Sequence, residues 1–234
     1  MKSRRPLLLL ALLPALAWGQ SLKSKQPPPA PEPVVEDKTP RDPNKFAALS
    51  LLGDNVQLVS LTPARGDTVQ SGEWTATPAG GLDNTVLQTL NQAVKAGAAN
   101  RQVKLYTSST RSLFGDPSNL FVNGKLSLPG KLGEAVRQSG AGTLLLVTRS
   151  RQEPALAAAL PARILTTLEG PGFVLDQRPS AQIGFDGQPG RPVLAPYVSI
   201  RVALVDLGDL KLRREQSLAV AARLPVQGDD NPWA

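Results

Sequence analysis

Gly142-Thr143-Leu144-Leu145-Leu146-Val147 is an apolar run bounded by glycine and by polar residues. A strand without polar alternation has no face to give to water, so it must be covered on both sides. The preceding residues supply one cover: Lys131 to Ser139 carries Leu132, Ala135 and Val136 at helical spacing and stops at Gly140. Helix, glycine, strand is the order of an α/β layer. It also rules out the glycines at 140 and 142 as a dinucleotide cradle, which follows its strand and opens a helix. The predicted fold is therefore α/β, with α+β as the alternative: a mixed sheet of about five to seven strands, two main helices and a C-terminal β-hairpin.

Two further apolar runs, Phe46 to Leu52 and Val56 to Leu61, flank Gly53-Asp54-Asn55, which reads as the turn of a hairpin. A short strand is expected around Glu73 to Thr77, with Trp74 as a packing anchor. Leu82, Val86, Leu90 and Val94 recur every four residues, so Asp83 to Ala96 reads as an amphipathic helix with Asp83 as N-cap and Gly97 as stop. Gln102 to Thr107 is the next strand, Asn123-Gly124 a tight turn, and Leu128-Pro129-Gly130 the lead-in to the second helix.

Pro154 to Pro161, rich in alanine and leucine, reads either as a helical turn packed across the sheet edge or as a partner patch, with packing favoured. Glycine and proline then mark residues 169–196 as a loop-like excursion, whose Phe173 and Phe185 offer a partner surface. Val198, Ile200, Val202 and Leu204 give the last long strand one strongly apolar face. Asp206 to Asp209 turns the chain, and Leu210 to Val220 returns beside it, with Lys211, Arg213 and Arg214 keeping its outer side wet and discouraging edge pairing.

Lys2, Arg4 and Arg5, the apolar Leu7 to Leu13 and Ala15-Leu16-Ala17 have the order of a secretory signal peptide, expected over residues 1–19. The Sec route fits, and Ser3-Arg4-Arg5-Pro6-Leu7-Leu8 also matches a twin-arginine signal. Its apolar part is about half the roughly 20 residues of a spanning helix, so no transmembrane helix is expected after cleavage. A proline-rich tether is expected over 20–44, a single domain over 45–225 and a tail over 226–234. Without cysteine there is no lipid-bearing thiol, no disulfide and no thiol catalysis. The formal charge of +7 falls to +4, with 23 basic against 19 acidic residues, once the three basic residues of the signal are removed. That balance does not point to nucleic acid.

Histidine is also absent, and no Ser-x-x-Lys occurs, so serine nucleophiles lack their usual bases and zinc or copper sites lack their commonest ligands. Gly124 to Lys131 approaches a phosphate loop, but its glycines are one residue too far apart and Leu132 replaces the magnesium-binding hydroxyl. Asp176, Asp186, Asp206, Asp209, Asp229 and Asp230 sit beside glycines or turns without calcium-loop spacing. No enzymatic activity, metal or cofactor is expected. The candidate ligand or partner surface comprises Ser108, Ser109, Thr110 and Arg111 at a strand end, Arg149 and Arg151 after the apolar run, and Phe173 and Phe185.

The helix followed by Ser139 to Val147, taken with Tyr197 to Asp206 and its hairpin return, resembles a set of small α/β envelope domains. These are those of the curli-secretion lipoprotein, of the lipoprotein activator of penicillin-binding proteins, and of the N-terminal part of the Tol propeller protein. The resemblance covers about half the mature chain, rests on pattern, and implies an accessory or docking role with no residue carried over. The expectation is an exported, non-catalytic periplasmic or secreted interaction protein with an envelope protein partner. The alternative is a periplasmic small-ligand or anion binder.

Overall fold

The chain runs β1 (Asp42–Leu51), β2 (Asn55–Leu61), β3 (Val69–Thr75), α1 (Gly81–Gly97), β4 (Gln102–Tyr106), β5 (Phe121–Val122), β6 (Lys125–Leu126), α2 (Gly130–Arg137), β7 (Ala141–Arg149), β8 (Gly170–Asp176), β9 (Val193–Asp206), β10 (Leu212–Ala221) and β11 (Leu224–Pro225). Short 3-10 helices at Arg111–Phe114, Pro117–Leu120, Pro154–Ala158 and Ala162–Thr167 fill the connections. This computed structural model describes residues 40–62, 69–75, 81–151, 153–177 and 193–225. The expected signal peptide, most of the tether, the Phe185 part of the excursion, the tail and the Trp74 side chain lie outside the described residues.

The fold is α/β with a mixed sheet, two main helices and the C-terminal hairpin, as the sequence predicts. Among the described residues the main sheet holds nine strands, more than the five to seven expected, in the order β3-β2-β8-β9-β7-β1-β4, with β10 and β11 also on β9. At 14 residues and roughly 3.3 Å per residue, β9 extends about 46 Å, longer than an ordinary neighbouring strand can match. Two strands in tandem therefore line one edge of it: β8 pairs antiparallel with Val193 to Ser199, and β7 with Ile200 to Asp206. The next row is built the same way, with β1 parallel to β7 and β2 parallel to β8.

That arrangement overturns the hairpin expected at Gly53-Asp54-Asn55. Because β7 and β8 both run against β9, β1 and β2 run in one direction, and residues 52–54 interrupt a continuing row. Side-chain parity survives the interruption: Ala47, Leu49, Leu51, Val59 and Leu61 are all buried toward the same side. The true hairpin partner of β2 is β3, which starts at Val69, earlier than the Glu73 expected from sequence. The loop-like excursion is likewise corrected at both ends. Gly170–Asp176 is the interior strand β8, and β9 begins at Val193. Glycine is present there because of close packing: a Cβ on Gly172 would stand 2.5 Å from the Gln57 carbonyl oxygen and collide with the Tyr197 hydroxyl.

β7 is the structural centre that its apolar run predicts. Leu144 and Leu146 face α2 and the first two 3-10 turns, in a cluster with Ala47, Leu49, Val136, Leu113 and Val205. Leu145 faces the opposite side, where α1 brings Leu87 onto Ala48, with Leu90, Val94, Val103 and Leu105 at the margin. Gly140 closes α2 in the left-handed region at φ +70°, and Asn123-Gly124 turns β5 into β6 with both φ positive. Pro154 to Pro161 packs as the sequence reading favours, although over a sheet face instead of an edge, and Ala162–Thr167 continues the same cover. Leu156, Leu160, Ile164 and Leu168 cover Val59, Leu61, Val174, Ala195 and Tyr197.

Parity also corrects the expectation for β9. Its buried face is Val193, Ala195, Tyr197, Ser199, Ala203 and Val205, while Val198, Ile200, Val202 and Leu204 are half-buried. The reason is unequal cover. Among the described residues α2 and the 3-10 helices occupy one face along the sheet, whereas α1 packs on β1 and β4 and covers only part of the other.

Candidate functional site

The interruption between β1 and β2 strands backbone groups that a continuous ladder would pair. Two side chains from elsewhere in the chain satisfy them. The buried Asp83 carboxylate, in the first turn of α1, accepts from Ser50 Oγ at 2.5 Å, from Leu52 N at 2.9 Å and from Gly53 N at 3.2 Å. The helix begins at Gly81, so Asp83 lies inside its first turn and is not the N-cap expected from sequence; its carboxylate is directed to the strand break instead. Arg149, at the end of β7, donates from Nε to the Leu52 carbonyl at 2.8 Å and from Nη2 to the Asn55 carbonyl at 2.7 Å. Gly53 takes φ +68° between them, a conformation glycine adopts without a Cβ penalty.

An open cleft of about 920 Å³ lies over this break, lined by Gly53, Asp54, Asn55, Asp83, Asn84, Thr107, Ser108, Ser109, Phe114 and Arg149. It sits beyond the carboxyl ends of the parallel strands β1, β4 and β7, the place where open α/β sheets bind ligands. The fold therefore brings Ser108, Ser109 and Arg149 together, as the strand-end reading of 108–111 requires. Thr110 is not among the lining residues; its N–H donates to Ser108 Oγ at 3.1 Å and its carbonyl accepts from Leu113 in the local turn. Arg111 opens the 3-10 helix Arg111–Phe114.

The other candidates lie elsewhere. Arg151 bridges to Glu169 at 2.6 Å on the surface, and hydrogen bonding to that carboxylate raises its pKa. Phe173 is half-buried on β8, and Phe185 is outside the described residues. Sequence reasoning missed Asp54, Asn55, Asp83, Asn84 and Phe114 as neighbours of this cleft. The signal available was Gly53-Asp54-Asn55 itself, a polar interruption between apolar runs that hairpin geometry also explained.

Electrostatics narrow what the cleft can hold. Among the described residues two carboxylates, Asp54 and Asp83, line it against one guanidinium, and Arg149 is engaged with carbonyl oxygens. Among the described residues, no group of three or more acids is placed to hold a metal ion.

No protein-family model matches the chain, and no curated protein matches it. Among solved structures, protein XCC0632 from Xanthomonas campestris, of family DUF330, is similar with a TM-score of 0.33 and 10% identity, over 83% of this chain and 74% of that one. Lipoprotein GNA1162 from Neisseria meningitidis is similar with a TM-score of 0.26 and 11% identity, over 80% and 89% respectively. Both likenesses are partial, and neither carries a functional conclusion for this chain.

Proposed function

We propose that the chain is an exported, non-catalytic accessory protein of the bacterial envelope that docks an extended segment of a partner protein along β10. The observation behind this reading is the placement of exposed apolar side chains. Among the described residues the large exposed ones are Val122 and then Leu212, Leu218, Val220 and Leu224, so all but Val122 fall on β10 and β11. Leu218 is 46% and Val220 62% exposed.

Edge chemistry supports the same reading. Among the described residues β10 pairs only with β9, which leaves its outer edge as a template for another strand. Arg213, Arg214 and Glu215 guard the first half of that edge, and Gln216 to Ala221 carries no charge. Register places Leu218 and Val220 on the same face as Ile200 and Val198, so the apolar side chains continue from β9 onto β10. The export signal and the lack of histidine and cysteine supply the rest of the reading.

The test is photo-crosslinking in intact cells, with the reactive residue placed at Leu218, at Val220 and, as a control, at the exposed Gln88 of α1. The same partner captured from both β10 positions and not from Gln88, and lost on Val220→Arg, is the expected result. Capture that does not differ between β10 and Gln88 would remove the basis for the proposal.

A further inference from the structure

We infer that the cleft at the carboxyl ends of β1, β4 and β7 is a binding site for a neutral saccharide. This goes beyond the docking role and stands on a different part of the molecule.

The cleft volume, about 920 Å³, lies within the roughly 300–1,000 Å³ of ordinary ligand sites. Its floor is fixed in advance, because Asp83 and Arg149 hold residues 52–55 by hydrogen bonds to the backbone. A preformed floor reduces the ordering a ligand must impose.

Lining chemistry selects the ligand class. An anion is disfavoured, although α1 begins here and a helix N-terminus attracts negative charge. Asp83 already supplies that charge from within the chain, Asp54 adds a second carboxylate, and the Nε and Nη2 of Arg149 donate to carbonyl oxygens. An apolar ligand is disfavoured too, since Phe114 is the one large apolar side chain in the lining. What remains is a set of hydroxyls and amides, Thr107, Ser108, Ser109 and Asn84, lining the same cleft as the half-buried Phe114. Hydroxyl and amide groups both donate and accept, as sugar hydroxyls do. Phe114, the one large apolar side chain among the lining residues, supplies an apolar contact for the C–H groups of a pyranose.

The experiment titrates the exported chain by calorimetry with N-acetylglucosamine, its disaccharide, glucose and maltose, and separately with inorganic phosphate. Saturable binding of at least one saccharide is expected, weakened about tenfold, equivalent to about 1.4 kcal/mol, by Asn84→Ala and by Ser109→Ala, with unchanged melting temperature. Phe114→Ala, expected to weaken saccharide binding as well, tests the apolar contact, and the two polar variants keep the test valid if that variant folds poorly. Absence of saccharide binding at millimolar concentration, preference for phosphate, or saccharide binding indifferent to both polar variants overturns the inference. Crosslinking from Leu218 in the Asn84→Ala chain separates this site from the docking edge, because loss of one leaves the other intact.

Discussion

Asp83 and Arg149 hold Leu52 from opposite sides: the carboxylate accepts from its N–H at 2.9 Å and the guanidinium donates to its carbonyl at 2.8 Å. One residue comes from α1 and the other from the end of β7. Their shared target is the point where the β1 row would otherwise lose its ladder. Through it the site floor and the stability of the sheet are one structural unit.

Asp83→Ala leaves the Leu52 and Gly53 N–H groups and the Ser50 hydroxyl without their acceptor. The expected loss is about 2–4 kcal/mol, read as a lower urea midpoint. Arg149→Ala should lose about 1–3 kcal/mol by the same measurement. Because both act on Leu52, the double variant should be non-additive by about 0.5–3 kcal/mol. Strict additivity would show that the two contacts are independent.

Gly172→Ala places a Cβ 2.5 Å from the Gln57 carbonyl oxygen and against the Tyr197 hydroxyl. Backbone on one side and a buried ring on the other leave little room to yield, so a loss of about 1–3 kcal/mol or more is expected in chemical denaturation. Tyr197→Phe in the same chain should recover only part of it, since the clash with Gln57 involves main chain.

Ser199 is fully buried on β9 and its hydroxyl has no hydrogen-bond partner among the described residues. Removing an unsatisfied buried group relieves its desolvation, so Ser199→Ala should leave stability unchanged or raise it by up to about 1 kcal/mol. A clear fall in the denaturation midpoint would contradict this.

Two titrations shape the pH limits. Burial raises the Tyr197 pKa well above its ordinary value, so the folded state favours the protonated phenol. Its contribution is complete below about pH 10 and is lost as pH rises further; Tyr197→Phe should flatten that alkaline decline. Asp206 is held below the usual carboxylate range by the Gly208 N–H and by Arg213. Its contribution is present above about pH 4 and fades as pH falls through the lowered pKa. Denaturation midpoints between about pH 2 and pH 5, expected to change less with pH in Asp206→Asn than in the parent chain, check the acid side.

Local periodicity carries most of the elements. The apolar run at Leu144 to Val147, the four-residue spacing from Leu82 to Val94, Asn123-Gly124 and the C-terminal hairpin each state their conformation within a few residues, because side-chain spacing and turn chemistry are short-range properties. The position of Ser108 and Ser109 at the cleft is legible for a related reason: they follow a strand predicted from its own sequence. Their neighbours Asp54, Asn84 and Phe114 are not, since only the packing of separate elements brings them together.

Gly53-Asp54-Asn55 marks the boundary between the two kinds of information. Its composition demands an interruption, and that much is written in the three residues themselves. Whether the chain reverses or continues there depends on which strand accepts β2 and on what satisfies the freed backbone groups. β8 accepts it, setting Gln57 opposite Gly172, and Asp83 and Arg149 complete the hydrogen bonds to Leu52 from sequence separations of 31 and 97. Contacts over such distances along the chain have no local signature, and they exist only once the sheet and α1 have packed together.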